Sequence, residues 1–240
     1  MQRNPKISII IPARNEEKYL PKCLAAIEAA KKNTAADFEI IVVANRCTDK
    51  TEQIALKNNC LVIKNESKNL AQIRNAGAAT ASGDIIVTVD ADSFVSKEIF
   101  RDILKKLSSP RIIGGGVWIW PERLSLGIFL TGLCLLPLIV IYGISAGLFF
   151  VRRQDFFAIG GFNEELVSVE DVDFAKRLKA HGEKSRRKFV TLFRSYIVTS
   201  CRKFDRFGDW YFLKNPREFK KIFEGRDRDL ANKIWYDFEH

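Results

Sequence analysis

The sequence predicts an α/β fold, a mostly parallel sheet with helices on both faces. Three observations predict it. From residue 7 to residue 109, short apolar runs alternate with longer segments of helical periodicity. The runs are rich in Ile and Val, as buried strands are. Polar groups gather at three of the run ends, "PARNE" (12–16), "ANRCTD" (44–49) and "DADS" (90–93), where an open parallel sheet binds its ligands.

The elements follow in order. "ISIII" (7–11) reads as a buried strand, and residues 15–33 as a helix with Leu20, Leu24 and Ile27 on one stripe. "FEIIVV" (38–43) is a strand, Asp49 to Asn58 a helix, and "CLVIK" (60–64) a strand. The helix "LAQIRNAGAATAS" (70–82) is expected to end at Gly83. Strand "DIIVTV" (84–89) then leads into Asp90-Ala91-Asp92, followed by an amphipathic helix over 96–109. "IIGGGVWIW" (112–120) does not open a helix in the dinucleotide-binding pattern and reads as a strand with close backbone contacts. Residues 124–151 contain no Asp, Glu, Lys or Arg. Three readings of this stretch are open: a core helix followed by the strand "GLFFV", a helix lying in a membrane interface, or a re-entrant or spanning segment. A single crossing would separate the acids at 170–173 from Asp90 and Asp92, which argues against a span.

At 240 residues the chain is one large domain or two small ones. Its five cysteines are scattered without a CxxC pair, which speaks against a disulfide frame or a zinc site and for a reducing compartment. "MQRNPK" lacks the pattern of a signal peptide. The net charge is +10, and the segment from Arg177 to Lys221 holds 14 Lys/Arg against 4 Asp/Glu, so it carries that whole excess. A basic segment of this kind meets phosphorylated small molecules, nucleic acid or anionic lipid, or is simply a solvated face.

In an extended chain residues i and i+2 share a side, so Asp90 and Asp92 would form a pincer at a strand end. Hard carboxylate oxygens suit Mg²⁺ or Mn²⁺, which take one or two carboxylates plus substrate phosphates. A cap or a surface pair is the bland alternative. Glu170, Asp171 and Asp173 open a helical segment. They offer a general base, or merely complement the helix terminus. Gly160 and Gly161 allow a close backbone approach or a plain turn. Arg74, one helix upstream of Asp90, suits a diphosphate or a base edge, or is a surface arginine. The presence of only His181 and His240 argues against a His-based triad or multi-histidine metal site, and no GxxxxGK[ST] loop occurs.

Together these segments resemble family 2 glycosyltransferases of the GT-A fold, from about Ile7 to Gly182. The segments are "IIIPARNEEKYL", "VVANRCTDKT", "NLAQIRNAGAATASGDIIVTVDADS", "GLFFVRRQDFFAIGGFNEEL" and "VEDVDFAKRLKAHG". The resemblance implies an inverting sugar transfer from a nucleotide diphospho-sugar to an acceptor hydroxyl. Asp92 would bind the Mg²⁺ or Mn²⁺ that bridges the diphosphate, and Asp90 would contact the ribose or the metal shell. Arg74 would touch the nucleotide, and Pro12, Ala13, Asn15 and Glu16 would line its pocket. Asp171 would be the catalytic base, with Glu170 beside it. Many relatives carry, where Asn45 stands, an Asp that recognises the uracil ring, so Asn45 is expected in the nucleotide pocket; UDP remains the favoured nucleotide. The QxxRW pattern of processive members is absent, so one sugar is expected per encounter. Arg202, Lys203 and Arg206 stand in its place, on a helix expected to meet donor or acceptor phosphate or a membrane surface.

The expected layout is a GT-A domain over 1–200, with a nucleotide half over about 1–110 and an acceptor half over 111–200. A basic helical extension over 201–240 would follow. The expected partners are a nucleotide-sugar donor and an acceptor of lipid-linked character, with no nucleic acid. The expected location is cytoplasmic, peripheral on the membrane's inner face through 124–151 and the basic segment. A nucleotidyltransferase would want a glycine-rich, lysine-bearing loop near residue 12. A non-catalytic scaffold would not need Asp90, Asp92 and Asp171 intact.

Overall fold

The computed structural model describes residues 4–142 and 147–236. The strands are β1 (Lys6–Ala13), β2 (Asp37–Asn45), β3 (Leu61–Asn65), β4 (Ile85–Val89), β5 (Ser93–Val95), β6 (Ile112–Pro121), β7 (Leu148–Arg152) and β8 (Lys188–Thr199). The helices are α1 (Leu20–Lys31), α2 (Thr51–Lys57), α3 (Leu70–Thr80), α4 (Ile99–Leu107), α5 (Leu126–Tyr142), α6 (Arg153–Ala158), α7 (Glu170–Lys184), α8 (Arg202–Phe207), α9 (Tyr211–Lys214), α10 (Pro216–Glu224) and α11 (Arg228–Ala231).

The strands form one sheet in the order β3-β2-β1-β4-β7-β6-β8-β5. β3, β2, β1 and β4 are parallel, β7 is antiparallel to both neighbours, and β6 and β8 run parallel to each other. Side chains alternate across the sheet, so β1 feeds two cores. Ile7, Ile9 and Ile11 pack with Leu24 and Ile27 of α1 and Phe100 and Ile103 of α4. Ile10 packs on the other face with Ile73 of α3 and Phe174 and Leu178 of α7. This two-sided burial is why the strands read as unbroken apolar runs.

Several boundaries move. α1 begins at Leu20, with Pro21 in its first turn, where a missing N–H costs nothing. Residues before it form a loop in which Glu16 O accepts from Tyr19 and Leu20 N–H, at 3.1 and 2.8 Å. α3 stops at Thr80, and Gly83 is not its cap. A β-carbon on Gly83 would lie 2.8 Å from Lys6 O and Ser8 N, so glycine is needed for a chain crossing. The glycine strand has the close contacts expected of it. A β-carbon on Gly115 would sit 2.0 Å from Val190 O, and one on Gly114 2.5 Å from Phe150 O.

α5 corrects the core-helix reading of residues 124–151. Ile128 and Thr131 are buried, but Leu124, Leu126, Phe129 and Leu133 are exposed. Gly127 lets the helix approach Asp209, whose carbonyl would lie 2.6 Å from an added β-carbon. Residues 143–146 of that stretch lie outside the described residues. Among the described residues no helix is long and apolar enough to cross a membrane. After β8 the chain is helical and folds back on the loop before α7. There Val167 N–H donates to Gly225 O at 2.9 Å and Ser168 Oγ to Ile222 O at 2.8 Å.

Candidate active site

The tips of β1, β2 and β4 carry the loops that hold the polar groups. Pro12 and Ala13 end β1 beside Val43 and Ala44 of β2, and both are buried. Asn15 takes a left-handed conformation, φ 50°, which asparagine tolerates better than most residues. Its side chain stitches two loops: Oδ1 accepts from Thr48 N–H at 2.8 Å and Nδ2 donates to Thr48 Oγ1 at 3.1 Å. Glu16 N–H donates to Thr51 Oγ1 at 2.7 Å. A cleft of about 160 Å³ opens here, lined by Asn15, Glu17, Lys18, Tyr19, Asp49 and Arg202.

β4 ends at Val89, and the chain turns at once, closed by Ser93 N–H donating to Asp90 O at 3.0 Å. The extended-chain argument for a pincer therefore fails. The carboxylates of Asp90 and Asp92 are held by different cations. Asp90 Oδ1 lies 2.8 Å from Arg74 Nη2, whereas Asp92 Oδ2 lies 2.9 Å from Arg202 Nη2 and accepts from Ser200 Oγ at 2.6 Å.

Arg74 is not a surface arginine. Its side chain is 5% exposed, and its other terminal nitrogen lies 2.6 Å from Glu170 Oε1. The Phe162 ring lies 5.2 Å from its Cζ. Burial would pull its pKa down, but Asp90 and Glu170 outweigh burial and keep it charged. One guanidinium thus joins the acidic turn after β4 to the start of α7, 96 residues along the chain from Arg74.

Glu170 and Asp171 open α7 behind Val169, which sits at φ 52°. Burial raises both carboxyls, and Arg74 opposes it. Asp171 Oδ1 accepts from Val172 N–H at 2.7 Å. Asp173 is instead tied to Arg177, one turn on, at 2.6 Å. Gly161, at φ 66°, passes so close to Asn75 that a β-carbon would lie 2.6 Å from Oδ1, whereas Gly160 meets nothing and is a plain turn residue.

Glu16, 8% exposed, shares Arg202 with Asp92: Oε1 lies 2.8 Å from Nη2. Burial raises its carboxyl to about 7 against the pull of Arg202. Its second oxygen, Oε2, is buried without a hydrogen-bond partner. Among the described residues no group of three His, Cys, Asp or Glu side chains is placed to hold a metal ion. Asp92 and Asp90 are hard oxygen donors of the kind a divalent cation takes together with a diphosphate, but each is paired here with a different arginine, and the buried Glu16 Oε2 has no hydrogen-bond partner.

Asn45 departs from the expected nucleotide contact. It is 2% exposed, and Nδ2 donates to Asn65 O and Ser67 O, both at 2.8 Å. Its amide hydrogens are spent on fixing the loop after β3. Sequence reasoning missed Tyr19 and Ser200 beside Arg202. It also missed the role of Asn69, which caps α3 and donates to Glu164 O at 2.7 Å. The helix-start position of Asn69 was the available signal.

Residues 8–123 match the family model of glycosyl transferase family 2. The glycosyltransferase GlyA of Streptococcus pneumoniae is 32% identical over 107 residues, which are 42% of this chain and 15% of that protein. This chain therefore spans only a small part of that relative. Crystal structures share the fold over almost the full chain. Staphylococcus aureus TarS 1–349 in complex with UDP-GlcNAc aligns with TM-score 0.61 and 20% identity, covering 97% of this chain and 71% of that one. The mannosyltransferase PcManGT of Pyrobaculum calidifontis, in complex with GDP-Man and Mn²⁺, aligns with TM-score 0.65 and 18% identity, covering 97% and 73%. The architecture is the GT-A fold.

Proposed function

We propose that this chain, whose residues 8–123 match glycosyl transferase family 2, moves a sugar from a nucleotide diphospho-sugar to an acceptor hydroxyl with inversion. The observation that carries the reading is Arg74, whose two terminal nitrogens hold Asp90 and Glu170 together. It draws the donor-side turn and the start of α7 together, which supports a single in-line displacement between them.

The chain's own residues take three roles. Asn15, Tyr19 and Asp49 line the cleft in which the donor's nucleotide end would sit. Asp92, with Asp90, would hold Mg²⁺ or Mn²⁺, which when bound neutralises charge developing on the departing diphosphate. Asp171 accepts the proton of the attacking hydroxyl. Burial raises its carboxyl, which makes the ionised form a stronger base. The neighbours crystallised with UDP and GDP sugars support a nucleotide donor; we favour UDP. The acceptor reading is lipid-linked, with transfer at the inner surface of the membrane. It is supported by the exposed Leu126, Phe129 and Leu133 of α5, by the exposed Trp120 and Trp210, and by a basic C-terminal third.

The test separates base from donor site. Asp171→Asn is expected to lower transfer by about 10²- to 10⁴-fold while UDP with Mn²⁺ still raises the unfolding temperature as it does in the parent chain. Equal loss of transfer and of nucleotide binding would remove Asp171 from the role of base.

A further inference from the structure

The residue that follows Cys201 reaches back across the molecule into the acidic turn. Arg202 Nη2 lies 2.8 Å from Glu16 Oε1 and 2.9 Å from Asp92 Oδ2, and Nε donates to Ser200 Oγ at 3.2 Å. The Tyr19 ring lies 4.6 Å from its Cζ. One guanidinium therefore serves carboxylates from two different strand tips, and it also walls the cleft. Asp92 Oδ2 accepts from both Ser200 and Arg202, so its lone pairs are already engaged.

We propose that Arg202 is the resident counter-ion of the donor site: it holds Asp92 in the donor-free protein and competes with the divalent cation for that carboxylate. The inference rests on the reading of Asp92 as a cation ligand under Proposed function. A dication and a guanidinium on one carboxylate repel each other, so cation entry and the present Arg202 contact oppose one another. α8 itself is tied down, since Asp205 Oδ1 accepts from Arg123 Nε at 2.9 Å, so it is the Arg202 side chain, not the helix, that would swing away. None of the six residues of α8 is buried, which leaves solvent-side room for that swing. Tyr19 offers an aromatic face that keeps the released guanidinium near the cleft wall.

The experiment measures free Mn²⁺ by electron paramagnetic resonance during titration of the full chain without nucleotide. It compares the parent, Arg202→Met and Arg202→Lys, each with and without Asp92→Asn. Arg202→Met is expected to bind Mn²⁺ about tenfold more tightly, as when a ligand free a tenth of the time becomes free throughout. Arg202→Lys keeps the charge without the fork, so it falls between parent and Met and serves as the second probe should Met disturb folding. Asp92→Asn is expected to abolish the gain. Unchanged or weaker Mn²⁺ binding in Arg202→Met and Arg202→Lys, with Asp92→Asn still removing the site, would overturn the counter-ion and leave the donor reading standing. Mn²⁺ binding indifferent to Asp92→Asn in every background would overturn both.

Discussion

At the residue scale the chemistry turns on shared cations. Arg74 divides its fork between Asp90 and Glu170 inside the protein, and removing one partner of a buried ion pair leaves charge uncompensated. Arg74→Ala is expected to destabilise the fold by about 3–5 kcal/mol, read as a lowered denaturant midpoint. Arg74→Lys should restore only part of it, because one ammonium cannot hold two carboxylates as a planar fork does. A midpoint unchanged in both variants would mean that Arg74 does not bind the two motifs together. The sequence made Asp90, Asp92, Glu170 and Asp171 visible as acids at element ends, since charge at a strand tip is conspicuous against an apolar run. Their partners were not visible. Arg202 lies 110 residues from Asp92 in the chain, and no local periodicity encodes a pairing made by chain return. Asn45 misled for the same reason, because its bonds go to carbonyls some twenty residues away.

At the scale of elements, the parallel half was legible because burial on both faces leaves an unbroken apolar signature. β1, β2, β3 and β4 fall where that signature placed them, and helix starts were less legible. α1 opens later than its periodic stripe suggests, because the loop before it is fixed by hydrogen bonds of Glu16 rather than by helical ones. α5 shows the limit of composition: a segment without charge reads alike whether it is inside or outside. Its exposed row makes a direct prediction. Phe129→Asp with Leu133→Asp should abolish sedimentation with vesicles containing anionic lipid and leave the unfolding midpoint within about 0.5 kcal/mol of the parent, as surface changes do. Retained sedimentation would move the acceptor surface elsewhere.

At the scale of the whole molecule, opposite ends of the sheet do different work. The end away from the cleft is fastened by Glu39, which pairs with Lys6 Nζ at 2.8 Å and accepts from Ser82 N–H at 2.7 Å. Burial would raise its carboxyl, but bonds from Lys6, Ser8 and Ser82 outweigh burial and lower it from 4.5 to about 2. A depressed carboxylate stabilises the fold in full above its unfolded value and ceases to do so below its folded one. Stability is therefore expected to fall as pH drops from about 4.5 towards 2, and Glu39→Gln should flatten that slope in acid-unfolding titrations. An identical slope in both proteins would refute the assignment. The path of β8 has a consequence of its own. It delivers Arg202 to the acids of Glu16 and Asp92, both within the family-matched stretch 8–123, which by itself lacks that guanidinium. β7, from beyond that stretch, also flanks β4 along the sheet. The amino-terminal portion is thus not a self-sufficient module: severed near residue 123, it would expose a raw sheet margin and two carboxylates robbed of their shared neutraliser.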